Sequence, residues 1–333
     1  MSVRSTEPAA VGEFDLIRKY FDRGAQRAVL GIGDDCALLA SAPGMQWAVS
    51  CDMLVEGRHF VSTVSPERLG HKALAVNLSD LAACGATPRA FTLALALPRA
   101  DEGFVAAFAK GLFRLADRHG IELVGGDTTA GPLNICITVF GEVPAGQALL
   151  RSGAQAGDTV WVSGQLGDAR LALEVFRGTV NSSLLAPAGA DFDAARRAME
   201  MPQPRVALGI ALRGIATSAI DLSDGLIGDI GHVLRRSGVG ARIDLPRLPC
   251  SDLLRRQAPG LQRECLLAGG DDYELLFTAP PAANAAVERA GALAGVAVAA
   301  IGQVHAGSGL TVLDADGLAV DLAAHRAFDH FGG

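Results

Sequence analysis

The sequence predicts a mixed α/β protein built from two halves of similar size. Three observations predict it. The chain has 333 residues, too many for one ordinary core and suited to two domains of about 150 residues each. Strand-like and helix-like segments alternate along it. A turn-rich stretch from Pro144-Ala145-Gly146 to Gly157-Asp158 separates the halves. The expected domains are therefore 1–146 and 147–333.

In the first half, residues 47–51 read as a strand. Ser65 and Pro66 open a helix that runs to about Cys84, serine as the cap and proline at the first helical position, where a missing N–H costs little. Leu69, Ala73, Val76 and Leu81 form its apolar stripe. Asn77 and Asp80 are three apart and share a face, expected to point away from the core. The apolar run 91–97 is short enough for either a strand or a helix. Asp101 caps a second helix, with Phe104, Phe108, Leu112 and Leu115 on one stripe and Gly120 at its end. Strands are expected at 121–124 and 135–143, the latter from the alternation of Ile135, Ile137 and Val139.

The second half resumes with a strand at 159–163 and a helix around 168–177. Loose sequence containing alanine and proline is expected over 178–204. A helix from about Arg205, a strand at 219–222 and a helix over 225–236 follow, with later strands near 241–245, 273–278 and 296–304.

Composition narrows the function. Half the residues are apolar and mean hydropathy is +0.29. No apolar run approaches the roughly 18 residues that cross a bilayer. Residues 1–15 mix Arg4, Glu7, Glu13 and Asp15 without a hydrophobic centre, so no signal peptide is expected and a cytoplasmic location follows. A net charge of −7 without a basic cluster argues against a nucleic-acid partner. Lysine occurs only at Lys19, Lys72 and Lys110, and no G-x-x-x-x-G-K-[ST] is present, which excludes a Walker-type phosphate loop. The six cysteines form no C-x-x-C pair and are expected to be small buried hydrophobes.

Seven aspartates recur beside glycines or at strand ends. They stand in Gly31-Ile32-Gly33-Asp34-Asp35, Ser50-Cys51-Asp52, Asn77-Leu78-Ser79-Asp80, Gly125-Gly126-Asp127 and Asp221-Leu222-Ser223-Asp224-Gly225. Magnesium dehydrates reluctantly and is held by a few carboxylates together with substrate phosphates. The repeated pattern therefore points to a nucleotide triphosphate bound through several divalent cations. Taken singly, each motif has a plainer reading. The first fits a surface turn, because the third glycine of a dinucleotide fingerprint is missing. Asp80 fits a solvated helix face, and Asp224 fits a helix N-cap as well as an anion-binding helix start. His59 is either incidental or a partner for a substrate phosphate. Gly269-Gly270-Asp271-Asp272-Tyr273-Glu274 repeats the glycine–aspartate theme before a strand, or forms a tight turn with two solvated acids. Asp52, Asp127 and Asp221 stand at or after strand ends, where ligands of α/β sheets collect.

In this order the motifs resemble the thiamine-monophosphate kinase family over essentially the whole chain. The resemblance rests on Gly12-Glu13-Phe14, on residues 31–36, on Lys72 through Ala83, and on Gly125-Gly126-Asp127-Thr128-Thr129. It continues in Arg151-Ser152-Gly153-Ala154, in Ala219 through Leu226, in residues 270–275 and in the terminal Phe328-Asp329-His330-Phe331. It implies a two-domain fold of the aminoimidazole-ribonucleotide synthetase type, an N-terminal mixed sheet with helices followed by a C-terminal α/β domain. It also implies a homodimer built through the N-terminal sheets, with ATP as co-substrate, several Mg²⁺ ions, and thiamine monophosphate as the acceptor of the γ-phosphoryl group. Carried over motif by motif, the metal ligands are Asp35, Ser50, Cys51, Asp52, Asp80, Asp127, Asp221 and Asp224. Nucleotide contacts are Gly126, Asp127, Arg151, Ser223 and Lys110, and substrate contacts are His59, Asp271 and Phe328. Asp52, Asp127 and Asp224 carry the catalytic role. Three positions depart from the family: Cys51 stands for a usual threonine, Asp271 for glutamate, and Phe328 for a hydroxylated or larger aromatic. The alternatives are a relative acting on another phosphate, carboxylate or amide, and a non-catalytic regulator that binds nucleotide or divalent ions.

Overall fold

The computed structural model describes residues 12–33, 35–180 and 190–325. The chain forms two compact units, one of residues 1–40, 51–74 and 89–138, the other of 41–50, 75–88 and 139–333.

An N-terminal turn, α1 (Glu13–Leu16), continues into a wider turn at Ile17–Phe21 and buries Leu16 and Phe21. Four strands follow: β1 (Met45–Val55), β2 (Thr87–Leu97), β3 (Glu122–Ala130) and β4 (Asn134–Pro144). They form one sheet in the order β1-β4-β2-β3. The apolar run at 91–97 is thus part of a strand. The predicted alternation in β4 holds, with Ile135, Ile137 and Val139 at most 1% exposed.

Two 18-residue helices accompany the sheet, α2 (Pro66–Ala83) and α3 (Glu102–His119). Asp101 caps α3 by accepting the Phe104 N–H, and Gly120 ends it in the left-handed conformation, both as the sequence indicates. Within the first unit α2 and α3 cross at backbone contact. A Cβ on Gly70 would lie 2.0 Å from the Phe108 carbonyl oxygen, and one on Gly111 1.8 Å from that of Glu67. The expectation for the polar face of α2 needs correction. Asn77 is 1% exposed and Ser79 fully buried, so this face turns inward, and only Asp80 keeps partial exposure. A helix that is buried all round loses the amphipathic signal on which the sequence reading relied.

The second unit contains a six-stranded sheet. Its strands are β5 (Thr159–Ser163), β6 (Ser218–Asp221), β7 (Gly240–Asp244), β8 (Leu275–Ala279), β9 (Val298–His305) and β10 (Gly309–Leu313). Their order is β10-β7-β9-β5-β8-β6. Pairing is antiparallel except between β10 and β7. Trp161 of β5 stacks on Phe277 of β8, centroids 6.4 Å apart. The described residues of this unit also form α4 (Asp168–Phe176), α5 (Ala190–Glu200), α6 (Val206–Ala211), α7 (Leu226–Ser237), α8 (Asp252–Arg255), α9 (Pro259–Ala268) and α10 (Asn284–Ala294).

α5 replaces part of the loose segment expected over 178–204. It is held against α4 by Phe192 on Phe176, by the Arg196 guanidinium over the same ring, and by Ala195 and Met199 in the core. Its alanines, arginines, methionine and glutamate are good helix formers, and packing on α4 adds to that propensity.

Candidate functional site

In the second unit, β1, α2 and β6 bring Ser50, Asp80 and Asp221 of the acidic motifs to one pocket of about 640 Å³, which Arg151 also lines. Ser50 Oγ donates to Asp80 Oδ2 at 2.5 Å. One position earlier on the helix, Ser79 Oγ donates to Asp221 Oδ2 at 2.8 Å, in a pair that is fully buried. Burial pushes the Asp80 carboxyl above the usual carboxylate range, against the opposing pull of the Ser50 hydroxyl and the Arg151 guanidinium. The Cys84 thiol is raised by burial first and then by Asp80 and Asp221, so both carboxylates act electrostatically on one thiol. Two carboxylates and a hydroxyl, in a pocket that Arg151 and Arg236 also line, suit a hard cation that brings its own phosphate ligands.

The loop after β6 is built by hydrogen bonds to the Gly-Gly-Asp-Asp-Tyr-Glu segment. Asp271 N–H donates to the Ser223 carbonyl at 2.9 Å, Tyr273 N–H to Leu222 at 2.8 Å, and Leu222 N–H to Glu274 at 2.8 Å. Asp271 and Tyr273 both take positive φ, 66° and 50°, a strained choice for residues with a Cβ that tends to occur at functional sites. Tyr273 Oη donates to Asp271 Oδ1 at 3.1 Å. Asp272 accepts the Gly167 N–H at 2.9 Å, and burial holds its carboxyl well above the usual range. Two solvated acids in a simple turn do not describe this segment.

The start of α7 also differs from expectation. Gly225, not Asp224, occupies the cap position. The N–H groups of Asp224 and Gly225 donate to Asp229 Oδ2, each at 3.1 Å. Burial and the neighbouring Asp224 charge raise the Asp229 carboxyl to about 7. These two amides are therefore engaged by a carboxylate of the chain itself. Sequence reasoning missed Asp229. The available signal was an aspartate in the first turn of the helix, a position that favours negative charge.

The first unit carries Asp35, Cys51, Asp52, His59, Lys110, Gly126 and Asp127. Gly125, Gly126 and Asp127 lie within β3, beyond the strand end expected at residue 124. Pairing with β2 shifts register between Phe91 and Thr92, so Gly126 faces Leu93 and Asp127 faces Ala94. Gly126 has φ 150°, and a Cβ there would lie 1.9 Å from the Leu93 carbonyl oxygen. Only glycine fits, and the bulge turns Asp127 to an exposed position. On β1, Cys51 contacts Cys136 of β4 with sulfurs 3.4 Å apart. The Cys136 thiol is pushed up to about 11 by burial, by Cys51 and by Asp52. Cys51 is exposed, contrary to the buried role expected for the cysteines.

His59 sits in a turn closed by Gly57 N–H to the Phe60 carbonyl, 2.9 Å, and by His59 N–H to Val55, 3.0 Å. Its Nδ1 accepts the Val55 N–H at 2.9 Å, which leaves Nε2 to carry the proton of the neutral ring. The Lys72 ammonium, 2% exposed, donates to the His59 carbonyl at 3.0 Å. Lys110 is exposed and pairs with Glu67 at 3.2 Å. Asp35 is exposed. Phe328 lies outside the described residues. Among the described residues no three His, Cys, Asp or Glu side chains are gathered closely enough to enclose a metal ion by themselves. Oxygen donors in ones and twos fit Mg²⁺ that retains water and phosphate ligands.

Comparisons with known proteins identify the family of the chain. The family model for AIR synthase related protein, N-terminal domain, matches residues 33–143, and the C-terminal domain model matches residues 155–315. The thiamine-monophosphate kinase of Escherichia coli (strain K12) is 45% identical over 326 residues, covering 97% of this chain and 99% of the relative. The crystal structure of thiamine-monophosphate kinase from Stenotrophomonas maltophilia K279a superimposes with a TM-score of 0.82 at 45% identity, covering 92% of this chain and 95% of that one. The structure of AaThiL complexed with AMPPCP and TMP gives a TM-score of 0.75 at 30% identity, covering 88% and 89%.

Proposed function

The chain belongs to the AIR synthase related family and, within it, to the thiamine-monophosphate kinases, and from that premise we propose how it transfers the γ-phosphoryl group of ATP to thiamine monophosphate, giving thiamine diphosphate. The single observation that carries the reaction is the full-length likeness to the Escherichia coli kinase. The complex of AaThiL with AMPPCP and TMP supports ATP and thiamine monophosphate as the two ligands.

The acceptor is a phosphate monoester whose second pKa is about 6, so it is largely dianionic at neutral pH and needs no general base. The obstacle is charge repulsion. Two unit charges at 4 Å repel by about 4 kcal/mol at an effective dielectric of 20, and each phosphate carries more than one. Several Mg²⁺ ions would neutralise this charge and align an in-line transfer. Asp35, Ser50, Asp52, Asp80, Asp127, Asp221 and Asp224 are the proposed ligands. Cys51 would contribute through its backbone carbonyl, since a hard cation prefers oxygen to sulfur. Gly126, Asp127, Arg151, Ser223 and Lys110 would hold the nucleotide, with Asp52, Asp127 and Asp224 nearest the transferred group. His59, Asp271 and Phe328 would hold thiamine monophosphate.

The division at 146/147 is supported by the spacing of the two family matches. A homodimer through the N-terminal sheet is supported by β1, an edge strand that exposes Val49, Cys51 and Met53 on alternate positions. A cytoplasmic location is consistent with the lack, among the described residues, of a helix long and apolar enough to cross a membrane.

The test is to incubate purified protein with ATP, Mg²⁺ and a panel of acceptors. Thiamine diphosphate should form from thiamine monophosphate and no product from other phosphates, carboxylates or amides. Turnover of another acceptor alone would move the chain to a different reaction of the superfamily. Nucleotide binding without any transfer would favour a regulator.

A further inference from the structure

Lys72 stands on α2 with 2% of its surface exposed and has no assigned part in the reaction. A lysine buried this far is rare, and an ammonium withdrawn from water is costly unless hydrogen bonds compensate it. Its Nζ donates to the His59 carbonyl at 3.0 Å, across 13 residues of sequence. That carbonyl belongs to a turn whose other bonds also engage His59. The His59 N–H donates to the Val55 carbonyl at 3.0 Å, and the Val55 N–H donates back to His59 Nδ1 at 2.9 Å. Amide, carbonyl and ring of one histidine are thus each held. The two bonds with Val55 lie within the turn and can travel with it, whereas the bond from Lys72 ties the turn to a helix. The helix has a fixed seat two residues away, where a Cβ on Gly70 would lie 2.0 Å from the Phe108 carbonyl oxygen.

We propose that Lys72 is a positioning residue for the phosphate acceptor: its ammonium fixes the His59 carbonyl to α2 and so sets where the His59 Nε2–H meets the phosphate of thiamine monophosphate. This rests on the reading of His59 as an acceptor contact. A bond from an N–H to a phosphate dianion is charge-assisted and depends on geometry. Removing the ammonium leaves both bonds with Val55 intact but frees the turn from α2, so the ring no longer waits at the place the phosphate takes. The proposed nucleotide contacts stand on other segments, so acceptor binding weakens while ATP binding is kept.

The experiment is a double-mutant cycle in the full-length chain. Lys72→Met nearly keeps the length of the side chain and removes its charge and donor, and His59→Gln removes the ring. Each should raise the KM for thiamine monophosphate about 10-fold and leave the KM for ATP within about twofold. The double variant should be no worse than His59→Gln, because residues that act through one contact do not add. Effects that multiply would show that Lys72 acts apart from His59 and overturn the proposal. An unchanged acceptor KM in either single variant, or an equal rise for ATP, would do the same. Where Lys72→Met folds poorly, Lys72→Gln takes its place in the cycle. The ¹⁵N signals of the His59 ring, assigned by their loss in His59→Gln, should move in the Lys72 variant, and unmoved signals would also overturn it. If the parent chain phosphorylates nothing, the kinase reading fails instead, and the ring signals alone decide whether Lys72 sets the histidine.

Discussion

Ser79 on α2 donates its hydroxyl to Asp221 at the end of β6, 142 residues away, and the two are 0% and 4% exposed. The bond fixes a proposed metal-binding carboxylate to the helix that also carries Asp80. Removing one donor from a buried charged acceptor costs about 1–3 kcal/mol. Ser79→Ala should therefore lower unfolding free energy by that amount and raise the Mg²⁺ concentration needed for half-maximal activity. Urea unfolding and a Mg²⁺ titration check both. A variant with unchanged stability and unchanged Mg²⁺ demand would show that the bond does not hold Asp221.

Asp52→Asn and Asp127→Asn keep side-chain shape and remove one charge each. Loss of an electrostatic stabiliser at a transferring group costs about 3 kcal/mol or more, so turnover should fall at least about 100-fold in each. Steady-state rates at limiting Mg²⁺ are the measurement, and near-normal turnover in both would remove these residues from the metal site.

Asp271 and Phe328 are the residues proposed to hold the thiamine end of the substrate. A carboxylate can accept from the aminopyrimidine, and an aromatic face attracts the thiazolium charge by about 0.5–2 kcal/mol. Asp271→Ala and Phe328→Ala should raise the KM for thiamine monophosphate much more than the KM for ATP. Because Asp271 has φ 66°, Asp271→Asn, which tolerates this conformation better than alanine, separates strain from lost charge: its stability should stay near that of the parent while its KM rises. Kinetics with each substrate varied in turn decide it, and equal effects on both substrates would mean the acceptor site lies elsewhere.

His119 offers a pH signature independent of the site. Burial first, and then the charges of Arg118 and His71, lower it from 6.5 to about 4. Its folded pKa lies below the unfolded value, so the unfolded chain binds the extra proton more readily. The contribution is complete above about pH 6.5 and is lost as pH falls towards 4. His119→Gln should flatten the fall in stability across that window. Urea midpoints between pH 4 and 7 measure it, and an unchanged slope would assign the acid sensitivity to other groups.

Local chemistry made some elements legible and hid others. Asp101 and Gly120 announce both ends of α3 because caps are written in adjacent residues. The β5 bounds, Thr159–Ser163, match expectation because apolar residues there are framed by turns. By contrast β10 and the buried polar face of α2 depend on partners distant in sequence, which neither propensity nor periodicity records. The candidate site was read from the sequence as a set of aspartates. Its wiring was not: the links from Ser50 to Asp80 and from Ser79 to Asp221 join residues far apart in sequence and arise only when the chain is folded.

The central claim is direct transfer between two phosphates. ATP labelled in its γ-phosphate should be mixed with thiamine monophosphate, Mg²⁺ and the purified chain, and the label followed into every product. The account predicts that label appears in the terminal phosphate of thiamine diphosphate, one for each ADP formed, with none retained on the protein. Label released only as inorganic phosphate, or a labelled protein that forms before the product, would contradict it.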